Sequence, residues 1–280
     1  MTLIRSNPKH ILPLYLFNCL RSKQAKIFFE TNANTTTNIS NLSFTDLERF
    51  SVPLPPLEVQ ERIVAEIEGY QKVRDAARQI VESYKPTIKI NPAWPMVKLG
   101  EVCKIQRGKF SHRPRNEPKF FNGKYPFIQT GDVVKANGGI VGYTQTLNET
   151  GLAVSKLFKP TIVLITIAAN IGDTAILNYD ACFTDSVVGL IPYETVDPFY
   201  LELVVRTQKK YLNNIAPQAA QKNINNEILR VVEIPLPPLE IQQKIVAEIK
   251  AEQEIVNANK KLITIFEHKI QAAIADVWGK

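Results

Sequence analysis

Pro53-Leu54-Pro55-Pro56-Leu57-Glu58-Val59-Gln60 recurs 182 residues later as Pro235-Leu236-Pro237-Pro238-Leu239-Glu240-Ile241-Gln242. The match continues downstream, with Ile63-Val64-Ala65-Glu66-Ile67 answered by Ile245-Val246-Ala247-Glu248-Ile249. Upstream, Pro13-Leu14-Tyr15-Leu16, ending in Leu20-Arg21-Ser22, is answered by Pro198-Phe199-Tyr200-Leu201, ending in Val205-Arg206-Thr207. A period this long exceeds the roughly 20 to 50 residues of solenoid units, so it indicates duplication of a whole domain. About 100 residues of strand-like sequence precede Pro198, but only twelve residues precede Pro13. The first copy therefore reads as the tail of a domain whose front is missing.

Each proline-rich segment introduces a long helix, because proline is accepted in a first helical turn and resists continuing a helix already under way. In the second copy Ile245, Ile249, Glu252, Val256, Asn259, Ile263, Phe266, Ile270, Ala273 and Val277 follow alternating steps of four and three. That spacing is a heptad seam with two polar interruptions. Ile63, Ile67, Tyr70, Arg74, Ala77, Val81 and Tyr84 keep the same register in the first copy, up to Pro86, Pro92 and Pro95. A lone seam of this kind reads most simply as a helix packed on its own domain. Two seams sharing register and introduction favour pairing with each other.

Residues 96 to 195 read as β-rich, with strands expected at 125–128, 161–167, 175–177 and 186–191 between Gly, Asn and Asp turns. Asp197-Pro198 supplies an N-cap and a first-turn proline for a helix to about Asn213, and Asn223 or Asn225 can cap another before Pro235. The expected fold class is α+β: a β-rich domain with short C-terminal helices, flanked by two long helices that form an antiparallel coiled-coil spacer.

This duplicated order, a β-rich domain, short helices, a Pro-Leu-Pro-Pro-Leu-Glu stretch and a long helix, resembles the specificity subunit of type I restriction-modification systems. The resemblance implies a truncated form lacking most of its first target-recognition domain. Residues 1–52 would be that domain's tail, 53–90 the central spacer helix, 91–234 a complete recognition domain and 235–280 the distal spacer helix. It also implies double-stranded DNA, methyltransferase (modification) subunits and a restriction subunit as partners, and leaves room for a homodimer. No catalytic centre, cofactor or metal is expected.

The net charge of +7 and the pI near 9.2 agree with a polyanionic partner, since cations that neutralise phosphates release condensed counterions. Lys104, Arg107, Lys109, His112, Arg113, Arg115 and Lys119 cluster, with only Glu101 and Glu117 opposing them nearby, in a stretch whose Gly and Pro content suggests a loop. Arginine can fork onto guanine O6 and N7, while lysine meets phosphate as a point charge. A solvated charged loop is the plainer reading of the same residues. Gln129 and Thr130 at a strand end, Asn170 beside Gly172, and Gln221, Lys222 and Asn223 ahead of a helix add amide, hydroxyl and cationic groups. Ordinary turn and cap chemistry explains these equally well. For helix pairing the candidates are Ile63, Ile67, Tyr70, Ala77, Val81 and Tyr84 with Ile245, Ile249, Val256, Ile263, Phe266 and Ile270.

Catalytic motifs are missing: there is no G-x-x-x-x-G-K-[ST] loop and no Gly-rich dinucleotide fingerprint. Asn91-Pro92-Ala93-Trp94 only faintly resembles the Asn-Pro-Pro-aromatic element of amino-methyltransferases. The histidines at 10, 112 and 268 are scattered, and the cysteines at 19, 103 and 182 form no CxxC pair. That cysteine usage, with no apolar run long enough to span a bilayer, fits the cytoplasm. The alternative function is a helical interaction scaffold, or silent cassette product, that no longer reads DNA.

Overall fold

The computed structural model describes residues 3–36, 39–136, 138–217 and 223–279. The chain begins with α1 (Pro13–Leu20), α2 (Lys23–Asn32), the β1–β2 hairpin (Asn34–Thr36, Ile39–Asn41) and α3 (Phe44–Glu48), then enters the long α4 (Leu57–Ser83). There follow β3 (Met96–Lys98), α5 (Leu99–Val102), β4 (Cys103–Arg107), β5 (Phe121–Ile128), α6 (Thr130–Lys135), β6 (Gly138–Gly139), β7 (Gln145–Leu147), α7 (Glu149–Ala153) and β8 (Leu157–Phe158). The chain continues with β9 (Ile162–Thr166), β10 (Thr174–Leu177), β11 (Ala181–Phe183), β12 (Val187–Pro192), α8 (Pro198–Thr207), α9 (Lys209–Ile215), α10 (Asn226–Arg230), β13 (Glu233–Pro235) and the long α11 (Leu239–Asp276). These elements form two compact units: 1–85 with 251–280, and 86–250. No described helix is long and apolar enough to cross a membrane.

The 86–250 unit is layered. Its five-stranded sheet runs β4-β12-β9-β10-β6, and its four-stranded sheet β7-β5-β11-β8. Every residue of β9 is buried, which is what a strand covered on both faces requires. Val163 and Ile165 point into a core shared with Tyr200, Leu201, Val204 and Val205 of α8. The alternate residues Ile162 and Leu164 meet Ile128, Phe158 and Phe183 of the second sheet. On that sheet's far side Phe110, Phe120, Phe127 and Leu147 form an aromatic layer. The helix expected through Asn213 is broken at Gln208, where α9 begins, and Asn225 rather than Asn223 caps α10 by accepting from the Ile228 amide at 2.9 Å.

In the other unit, the predicted seam of α4 is the buried one: Ile67 and Ala77 are buried, and Ile63, Tyr70, Arg74, Val81 and Tyr84 half-buried. Ile67 packs with Ile270 and Ile274, the Tyr70 and Phe266 rings lie 5.7 Å apart, and the Tyr84 hydroxyl donates to Glu252 at 3.1 Å. Partner numbers fall along α11 as they rise along α4, so the pairing is antiparallel. Carried along this register, Ala77 falls level with Asn259 and Val81 with the buried Val256. Ile263 lies half-buried on the same face of α11. Two details depart from the expected seam. Ile245 packs instead against the core of the 86–250 unit, joined there by Val246, because the first turns of α11 belong to that unit; Ile249, also in that unit, is half-buried. Gln253, not Glu252, takes the half-buried position; Glu252 stays exposed and serves as the tyrosine's acceptor.

The duplicated sequence folds into a duplicated clip. The buried Gln60 side chain accepts from the Leu12 amide (2.9 Å) and donates to the carbonyls of His10 (2.9 Å) and Pro55 (2.8 Å). Gln242 likewise accepts from the Asp197 amide (2.9 Å) and donates to Thr195 (3.2 Å) and Pro237 (2.9 Å). The Tyr15 hydroxyl donates to Pro53 at 2.9 Å and that of Tyr200 to Pro235 at 2.8 Å. A proline-rich strap offers carbonyls but few N–H groups. A buried Gln and a Tyr satisfy those carbonyls in both copies.

Candidate nucleic-acid interface

Strand register gathers the candidates at one end of the five-stranded sheet. Arg107 pairs with Val188, Val187 with Thr166, and Thr174 with Ile165. The turns after β4, before β12 and after β9 therefore emerge together. Gly108 makes the close approach of the first two possible: its amide donates to Val187 at 2.9 Å, and a Cβ there would collide with the carbonyls of Phe183 and Thr184.

The basic stretch is not one loop, because Lys104 and Arg107 are part of β4 and the loop starts at Gly108. Arg107, Lys109, Arg113 and Arg115 are exposed at the gathered end. Lys104, also exposed, pairs with Ile191, three residues back along the strand. The cluster also has a counter-ion that local sequence did not reveal. Asp185 takes Arg113 at 3.2 Å and Arg115 at 2.7 Å on one carboxylate oxygen, while Arg107 Nε donates to its main-chain carbonyl. Arg113 also donates to the carbonyls of Phe110 (2.7 Å) and His112 (2.8 Å), so its guanidinium is held in one orientation. Farther along, Glu117 is bonded by Lys119 (2.7 Å) and His112. The Lys119 ammonium holds the Glu117 carboxyl below the usual carboxylate range, with desolvation opposing it and His112 adding to the lowering.

Gln129 caps α6: its amide donates to Asp132 at 2.9 Å, and Thr130 opens the helix. The Gln129 side chain bonds to Gln145, and the two amides line a cleft of about 210 Å³ with Arg115, Asn116 and Thr184, above Phe110 and Phe127. The Thr184 hydroxyl has no partner there. Amides, a hydroxyl and a guanidinium around one cleft are the donors and acceptors that base edges match.

The turn after β9 holds Asn170, exposed, between Ala169 (φ 62°) and Gly172 (φ 85°). The Gly172 amide returns to the Thr166 carbonyl at 2.9 Å, and Asn213 donates to Ile171 at 2.8 Å. Asn223 bridges Ala168, and the Ile224 amide donates to Ile167 at 3.0 Å, so the segment before α10 joins the same end of the sheet. Gln221 and Lys222 lie outside the described residues. Lys209, paired with Asp173 at 2.6 Å, is a further cation beside this turn. Sequence reading missed Asp185, Lys209 and Gln145 because each reaches its partner only through the sheet. The Thr184-Asp185-Ser186 turn, carrying an acid between two strands, was the available signal. No group of His, Cys, Asp and Glu able to hold a metal occurs among the described residues.

A family model described as type I restriction modification DNA specificity domain matches residues 1–80 and 91–265. The putative type I restriction enzyme MjaX specificity subunit of Methanocaldococcus jannaschii is 26 % identical over 93 % of this chain and 66 % of its own length. The MjaVIII specificity subunit of the same organism is 25 % identical over 89 % of this chain and 65 % of its length. This chain thus spans about two thirds of the curated relatives it matches. Among solved structures, the HsdS subunit from Thermoanaerobacter tengcongensis superposes with a TM-score of 0.58 at 27 % identity, covering 98 % of this chain and 72 % of that one. A chain solved in work on complex assembly and conformational transition of the type I R-M system gives 0.62 at 27 % identity, covering 98 % and 73 %. The family match runs through both copies of the proline-rich clip and the layered domain between them, and the chain belongs to the type I restriction-modification DNA specificity family.

Proposed function

We propose that this chain reads DNA sequence for the modification and restriction subunits of a type I system and catalyses neither reaction itself. The observation that carries this reading is the convergence of Arg107, Lys109, Arg113 and Arg115 at one end of the five-stranded sheet, where Arg115 joins the amides of Gln129 and Gln145 around one cleft. Exposed ion pairs such as those to Asp185 contribute only about 0 to 1 kcal/mol. Exchanging the carboxylate for a phosphate or a guanine edge therefore costs little, while the fixed orientation of Arg113 limits the entropy lost on binding.

In this reading residues 91–234 are the recognition domain, 53–90 and 235–280 the spacer helices, and 1–52 the tail of a first recognition domain. The methyltransferase subunits dock on the spacer helices, the restriction subunit joins through the complex, and all of this takes place in the cytoplasm. One complete recognition domain reads half of a split site, so two copies of the chain, related by a two-fold axis, would read a palindromic site with a fixed gap.

The direct test replaces Arg107, Arg113 and Arg115 with alanine and measures DNA affinity over a salt series. For every phosphate no longer neutralised, the slope of log affinity against log salt should become shallower by about 0.9. Unchanged binding by the triple variant would favour a helical scaffold that does not read DNA.

A further inference from the structure

The polar groups at the gathered end of the sheet do not all project outward. Arg115, Asn116, Gln129, Gln145 and Thr184 wall a cleft of about 210 Å³ whose floor is Phe110 and Phe127, all of it within the 86–250 unit. Both rings are buried and lie 5.2 Å apart in the aromatic layer, so packing fixes the floor. The Gln129 side chain donates to the Gln145 carbonyl oxygen, so Gln145 has its own N–H groups to offer. Among the described residues the buried Thr184 hydroxyl oxygen has no hydrogen-bond partner. A buried polar atom without a partner is costly, and marks a place where something else completes its bonding. The cleft is smaller than the roughly 300 to 1,000 Å³ of most small-molecule pockets and suits one flat heterocycle.

We infer that this cleft receives a single base turned out of the DNA stack, and that this base is not the methylated one, which must reach the modification subunit. The inference rests on the DNA-reading function proposed above. Readout within a groove needs side chains that project far enough to touch the edges of stacked bases. Here Thr184 is half-buried and the two rings are buried, behind the exposed Arg115, Asn116 and Gln145. A base still in the duplex does not reach that floor; an extruded base does. The lining supplies what such a base requires: apolar rings against its face, and amide, hydroxyl and guanidinium groups along its edge. Arg113, held on the same Asp185 carboxylate as Arg115, stands beside the cleft as a partner for the displaced phosphate. Across the shared walls Asn116 and Gln145 lies a second cleft, of about 340 Å³, where the exposed ring of Tyr143 offers a stacking surface to the next base of the strand. An aromatic contact and a few hydrogen bonds are together comparable to the cost of unstacking and unpairing one base, so the balance depends on how well that base fits.

The test uses the complex of the full chain with its modification subunit on a duplex carrying the motif found by methylation mapping. The fluorescent base 2-aminopurine, which brightens when it leaves the stack, replaces one base of the motif at a time. The methylated base and its pairing partner are left in place, so extrusion into the modification subunit is not counted. One of the other positions should brighten roughly threefold or more on binding. Thr184→Val keeps the side chain's size and removes the hydroxyl, and should lower the ratio of extruded to stacked base about fivefold. Asn116→Trp, at an exposed wall residue, plugs the cleft and should abolish the brightening. Fluorescence is read at saturating complex, with binding followed separately by the anisotropy of a dye on the duplex end, so Thr184→Val decides the matter even where the tryptophan variant binds no DNA. Binding without brightening at any position, or brightening that persists unchanged in either variant, would overturn the inference and leave the DNA-reading function standing. A parent complex that does not prefer this duplex to an unrelated one would overturn that function itself, and the inference with it.

Discussion

Asp185 holds two guanidinium groups on one carboxylate oxygen and a third through its main-chain carbonyl, so the loop after β4 is tied to the turn before β12 by contacts within the chain. Replacing Asp185 with asparagine removes the charge while leaving the main-chain bond, and should free Arg113 and Arg115. Affinity for unrelated DNA should rise a few-fold at low salt while the ratio of specific to non-specific binding shrinks, as filter binding at two salt concentrations would show. Asp185 lies 72 positions from Arg113, so nothing in the local sequence could announce the pairing; the cations were legible and their counter-ion was not. At the same scale, burial pushes the Cys103 thiol up to about 12 and raises those of Cys19 and Cys182. All three stay protonated at pH 8, where the thiolate is the reactive form. Ellman's reagent should find no rapidly reacting thiol in the native protein and three after unfolding.

The elements were the most legible level, since each rests on a local pattern. A proline strap followed by a 3.5-residue period gave α4 and α11, and an uninterrupted apolar run gave β9. What escaped was whatever depends on which unit an element serves. Ile245 fits the heptad as well as Ile270, yet it packs on the 86–250 core because the β3–β13 pair holds the strap there. The clip glutamines were visible only as repeated letters; their three bonds each appear in the fold. Removing one leaves two carbonyls and an amide, buried or partly buried, without that partner, so Gln242→Ala and Gln60→Ala should each destabilise by about 1 to 3 kcal/mol. Urea unfolding of each variant measures this, and a loss under about 0.5 kcal/mol would show that the strap does not depend on the clip.

For the whole molecule, the duplicated helices set a length. The 27 residues of α4 span about 40 Å, close to one turn of DNA. Four residues inserted near Ala77, matched by four near Asn259, add about 6 Å while nearly preserving the apolar face. The gap in the recognised site should lengthen by about one or two base pairs, as methylation mapping of the variant would show; an unchanged gap would refute the helical ruler. Whether this chain names the sequence on which other subunits act is decided by the genome-wide methylation pattern of cells carrying the matching modification subunit with this chain, without it, and with the Arg107, Arg113 and Arg115 alanine variant. The expected pattern is methylated adenines in one split, palindromic motif that appears only with the intact chain and is lost or relaxed in the variant. The same pattern without the chain, or in the presence of the variant, would show that the sequence is named elsewhere.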